Sequence, residues 1–178
     1  MGKVFDGIGP ALATWITAQP IFFVATAAQT GHVNCSPKGL PGTFAVLGPQ
    51  QVAYLDLTGS GIETIAHLQA DPRIVIMLCS FDAKPRIVRL HGTGRVHRLD
   101  DPAFASLEPH FAHYDGARAI IEVALDRISD SCGFGVPRMS LEGERPLLAD
   151  DHAKRGPIGL ASYRSEANAT SIDGLAGY

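Results

Sequence analysis

The chain has 178 residues, with fifteen Lys plus Arg against eighteen Asp plus Glu for a formal net charge of −3, a length that one hydrophobic core can serve without a covalent staple. With no run of Lys or Arg, the composition argues against a nucleic-acid partner or an anionic membrane surface, because phosphate binding depends on clustered positive charge. Three scattered cysteines, Cys35, Cys79 and Cys132, form neither a disulfide framework nor a CxxC signature and point to a reducing, cytoplasmic setting. The stretch up to Pro20 carries Lys3 as its one cation and is interrupted by prolines, so no signal peptide is expected. No apolar run reaches the roughly eighteen residues that a membrane-spanning helix needs.

Pro10 suits a first helical turn, and Leu12, Trp15 and Ile16 follow at helical spacing, so a short amphipathic helix is expected over Ala11 to Ala18. The aromatic and β-branched run from Ile21 to Thr26, the turn residues Gln29-Thr30-Gly31 and the stretch HVNCSPK together read as a β-hairpin. In its second strand Val33 and Cys35 alternate with Asn34, Ser36 and Lys38, which puts three polar groups on one face, wet or ligand-binding. Thr43 to Leu47 and Gln51 to Thr58 are two more strands, the second with Tyr54, Asp56 and Thr58 opposite Leu55 and Leu57. The loop TGSG and a brief helix from Glu63 to Leu68 come next, ended by Asp71-Pro72.

The strand Ile74 to Cys79 is apolar on both faces and therefore central. Arg86 to His97 alternates Val88, Leu90 and Val96 with Arg89, His91, Thr93, Arg95 and His97, with Gly92 and Gly94 allowing a bend. A helix is expected from Asp101-Pro102 to about Ala112, a strand from Ala119 to Ile128, and a last helix from Pro157 to about Asn168 ahead of a glycine-rich tail. About five to seven strands, with a helix between the fourth and fifth, predict a mostly β, α+β fold: a small antiparallel barrel with peripheral helices.

Two constellations carry possible chemistry. The loop Thr58-Gly59-Ser60-Gly61, with Glu63 and Thr64 at a helix start, offers backbone N–H groups and hydroxyls to an anion; the alternative is an ordinary turn with a helix cap. The cations Lys38, Arg86 and Arg89 suit recognition of a phosphate or carboxylate; the alternative is a solvated strand face. Arg86 and Arg89, three apart, face opposite sides of a regular strand. His110 and His113 are three apart on an expected helix but lack a third ligand, so no metal site is expected. Cys132 reads as part of a structural turn. The phosphate motif GxxxxGK[ST] fails for want of its lysine, and no GxSxG or HExxH appears.

HVNCSPKG after an FFVAT strand, then VAYLDLTGSGIETIAHL, PRIVRLHGTGRV and SCGFGVP, resembles the pyridoxamine 5'-phosphate oxidase-like family of FMN-binding split barrels over about Phe22 to Pro137. KRGPIGLASYRSEANATSIDGL looks like the tail of a short-chain branch of that family. The resemblance implies a single domain over residues 1–178, with a barrel core at about 20–137 and a helical tail at about 150–178. It implies a homodimer with FMN in clefts at the dimer interface, and an FMN-dependent oxidoreductase. Ser36 and Lys38 fall where the family's second strand meets the flavin. Thr58, Ser60 and Gly61, with Glu63 and Thr64, fall in its phosphate loop, and Arg86 and Arg89 match the two arginines of an Arg-Gln-Val-Arg-like strand. The chain departs from the pattern at Gly61 and Ile62, where an Arg-Lys pair stands in pyridoxamine phosphate oxidases, and at Ile87, where a ring-contacting glutamine stands. A non-catalytic module holding a flavin, deazaflavin or haem-type ligand is the alternative.

Overall fold

The computed structural model describes residues 2–178. In chain order the strands are β1 (Val4–Phe5), β2 (Ile21–Thr26), β3 (Asn34–Gly39), β4 (Phe44–Gly48), β5 (Gln51–Leu57), β6 (Arg73–Cys79), β7 (Ile87–Arg98) and β8 (Ala117–Ser131). The helices are α1 (Pro10–Thr17), α2 (Glu63–Ala70), α3 (Pro102–Leu107) and α4 (Leu147–Ala167). One antiparallel sheet runs β3-β2-β6-β7-β8-β5-β4, with β1 added to β8. This is the mostly β barrel with peripheral helices that the alternation predicted, with the two-residue β1 as an additional strand.

Period-two patterning decides which side of each strand is dry. β6, apolar on both faces, lies in mid-sheet, and its Ile74, Ile76 and Leu78 join Phe22, Val24, Val88, Leu90, Ile121 and Val123 inside the barrel. Leu12 and Ile16 of α1 and Ile65 and Leu68 of α2 pack into the same core. Each such side chain, fully buried, stabilises by about 1.5–3 kcal/mol. β5 is dry on both sides: Val52 and Tyr54 face inward, while Ala53 and Leu55 meet Ile120 and Phe104 under α3. That outer cover explains His97, which lies on the polar face of β7 as expected yet is buried, between Asp101 at 3.0 Å and Glu122 at 2.7 Å. β7 runs unbroken through its glycines; the extra residue that bends this pair of strands is on β8, between Leu125 and Arg127.

Two expected elements differ. The helix from Asp101-Pro102 ends at Leu107 and gives way to a single 3-10 turn at Glu108–His110, so His113 lies beyond the helix and does not share a face with His110. Pro109 explains the break, since it cannot continue the hydrogen-bond ladder. The last helix begins at Leu147, ten residues before the expected start, and has two parts joined at Gly156, with φ 61° and ψ 179°. Only the second part, opened by Pro157, was foreseen. Among the described residues no helix is long and apolar enough to cross a membrane.

Candidate functional site

The sheet ends, β3 and β4, do not pair with each other, and the barrel is split along that seam. β3 turns the polar face predicted for it into the seam. Ser36 Oγ donates to Asn34 Oδ1 at 2.8 Å, and Asn34 Nδ2 donates to Thr64 Oγ1 on α2 at 3.1 Å. Lys38 reaches across to β5, its Nζ 2.7 Å from Asp56 Oδ1. The other oxygen of Asp56 accepts from Arg118 Nε at 2.6 Å. Burial alone would raise the carboxyl of Asp56, but the Lys38 and Arg118 charges more than offset it and hold the group below the usual carboxylate range. Beside it the phenol of Tyr54 is pushed well up, first by burial and then by the Asp56 charge, so it keeps its proton.

A cleft of about 920 Å³ lies over the seam. One wall is the turn from α1 into β2, with Trp15, Pro20 and Ile21; another is Pro37 and Lys38 of β3 facing Leu55 and Leu57 of β5. Thr58, Gly59, Phe81 and residues of the segment from Met139 to Leu148 complete the lining. The volume falls within the roughly 300–1,000 Å³ of small-molecule sites, and walls rich in apolar side chains with few polar groups are typical of them. The Thr58 hydroxyl is buried without a hydrogen-bond partner.

Of the nine residues singled out in the sequence, Lys38 and Thr58 line this cleft. Ser36 and Thr64 belong to the polar seam beside it, while Ser60 and Gly61 are exposed on the loop after β5. Glu63 starts α2 and accepts the Ile172 N–H of the C-terminal tail at 3.1 Å. Arg86 does not line the cleft. It donates to Asp130 at 2.9 and 3.2 Å, and its guanidinium lies 5.1 Å from the centre of the Trp15 ring, behind the cleft wall. Arg89 donates to Ser131 at 3.1 Å on the neighbouring strand and is not brought to the cleft.

Sequence reasoning missed Trp15 and Phe81 as cleft walls, and Arg118, His152 and Asn168 as partners of the loop. Trp15 carried only a core signal. The charge of Asp56 on a strand was the one visible hint that a buried cation would be needed.

An open antiparallel barrel with a ligand-sized cleft over its seam is a split barrel. The chain belongs to the pyridoxamine 5'-phosphate oxidase family, whose sequence model matches residues 8–132. It is 42% identical to the pyridoxamine 5'-phosphate oxidase family protein ustO of Aspergillus flavus over 192 residues, covering 97% of this chain and 76% of that one. Among solved structures it is similar to a Clostridium acetobutylicum protein related to general stress protein 26, of the pyridoxinephosphate oxidase family. That match has a TM-score of 0.52 at 16% identity, over 67% of this chain and 84% of the other. An FAD binding protein from Mycobacterium smegmatis matches with a TM-score of 0.51 at 12% identity, over 72% and 96% of the two chains. These two share the fold.

Proposed function

We propose that the chain is a flavin-binding oxidoreductase of this family that holds FMN in the cleft over the seam, with a second copy of the chain completing the site. The observation that carries the reading is that the same cleft is lined by a cation and a buried hydroxyl without a partner, Lys38 and Thr58, among mostly apolar side chains. These residues fit a flavin. An isoalloxazine needs flat apolar surfaces such as Trp15 and Phe81 offer, and a phosphate needs a cation, a hydroxyl and free N–H groups such as Lys38, Thr58 and the loop through Ser60 and Gly61 provide. Family membership and the FAD binding of the Mycobacterium smegmatis protein favour the same ligand class.

Bound there, the flavin would supply hydride and electron transfer. The chain's own residues bind and orient. Lys38 presents a positive charge that Asp56 holds in place without cancelling the cluster, because Arg118 supplies a second cation to the same carboxylate. Arg86, stacked behind Trp15, fixes the plane of that ring through a cation–π contact worth about 0.5–1 kcal/mol. Ser36 and Thr64, tied to Asn34, keep the seam polar next to the phosphate end, and Leu55, Leu57 and Phe81 exclude water from the ring end.

The test is an absorbance spectrum of the purified protein and a titration with FMN, followed by an assay of NAD(P)H oxidation. Saturable binding with a flavin band and turnover is the expected result. Binding without turnover assigns the chain to flavin storage or sensing; neither band nor binding overturns the reading.

A further inference from the structure

The loop after β5 has its carbonyls taken by side chains from distant parts of the chain. His152 Nε2 donates to the Thr58 carbonyl at 2.7 Å, Asn168 Nδ2 to that of Gly59 at 3.0 Å, and an Arg118 terminal nitrogen to that of Gly61 at 2.8 Å. Arg118 also ties the set together, donating to Asn168 Oδ1 at 2.8 Å while gripping Asp56. His152 and Asn168 are 3% and 0% exposed, and both belong to residues 133–178, beyond the span that matches the family. The imidazole lies flat on Gly116: a Cβ there would come within 1.9 Å of His152 Nδ1. Gly116 also accepts the Thr58 N–H at 2.7 Å.

A trans peptide is planar, with its N–H pointing opposite to its C=O. Carbonyls turned toward α4 and Arg118 therefore turn the N–H groups of Gly59, Ser60 and Ile62 the other way. Those three N–H groups have no acceptor among the described residues, and the buried Thr58 hydroxyl beside them has none either. We propose that α4 with its C-cap residue is the positioning element of the phosphate end of the site: His152 and the C-cap Asn168, braced by Arg118, set the peptide planes of the loop so that its N–H row meets a phosphomonoester. Preference for a phosphorylated flavin over an unphosphorylated one is then a property of α4 and its cap, although neither residue touches the ligand. The inference rests on the flavin reading of the cleft.

The test is titration of FMN and of riboflavin into the wild type, His152→Ala and His152→Gln. The wild type is expected to prefer FMN by about tenfold or more, the scale of lost charge-assisted hydrogen bonds. His152→Ala is expected to lose about tenfold in FMN affinity with riboflavin changed less than about twofold, and His152→Gln, which keeps a side-chain N–H, to recover most of the loss. Should His152→Ala fail to fold, Asn168→Asp carries the same expectation, since it keeps the oxygen on Arg118 and removes the donor to Gly59. Equal wild-type affinity for the two flavins overturns the inference, as does an FMN affinity unmoved in His152→Ala. A parallel fall for both ligands without rescue by Gln also overturns it, as a merely structural effect. A wild type that binds neither flavin overturns the functional reading instead.

Discussion

Asp56 has each carboxylate oxygen on a different cation, tying Lys38 of the edge strand β3 to Arg118 of β8 across the seam of the split barrel. Removing one partner of a buried ion pair leaves the other charge desolvated, which costs about 3–5 kcal/mol. Asp56→Asn is therefore expected to lose stability on that scale in urea unfolding, because Arg118 remains buried without its counter-charge. The pH dependence follows in sign. The folded-state value of this carboxyl lies below that of the unfolded chain, which is about 3.9. Its contribution is complete above about pH 4 and is lost as pH falls through the depressed value, so Asp56→Asn should flatten the acid limb of a stability profile. A variant as acid-sensitive as the wild type would show that other carboxylates control that limb. Alternation placed Asp56 on the correct face of its strand from sequence alone. It did not reveal Arg118, because a buried arginine is identified by a partner sixty-two positions away rather than by any local pattern.

α4 shows the same limit at the scale of an element. Pro157 announced its second half, since proline suits a first turn. Leu147 to Arg155 carries no clear apolar stripe, and its buried member is a histidine whose partners are a backbone carbonyl and the glycine just before β8. The junction at Gly156 adopts a backbone conformation essentially reserved for glycine, costing about 1–3 kcal/mol for any other residue. Gly156→Ala is expected to lower the melting temperature accordingly and to weaken FMN binding more than riboflavin binding, because it shifts His152 relative to Asn168. Loss of stability with both affinities intact would show that the two halves of α4 hold the loop independently. The hairpin of β2 and β3, by contrast, was legible almost to the residue, its turn chemistry and alternation both being local.

For the whole molecule, the antiparallel barrel with peripheral helices followed from patterning, while the order of its strands and the cleft did not, because both arise only through tertiary packing. The segment that lines the cleft from Met139 leaves apolar side chains in water: Met139 is 61% and Leu141 65% exposed, and Phe134, a few residues upstream, is 82% exposed. A second copy of the chain laid over this segment would cover them and finish the cleft. Sedimentation is expected to give a dimer, and Leu141→Asp to move it toward monomer with reduced flavin retention; a monomeric wild type retaining flavin would overturn the shared-cleft arrangement.

Two of the three partners of the loop after β5, His152 and Asn168, are 94 and 109 positions further along the chain. On a ribosome, the loop therefore emerges with its carbonyls bare and its peptide planes free to turn, long before the side chains that orient them have been made. Barrel strands can begin to pair meanwhile, but the proposed phosphate seat takes shape only once Asn168 can reach the loop. On the flavin reading of the cleft, nascent chains stalled short of that residue should show no preference for a phosphorylated flavin.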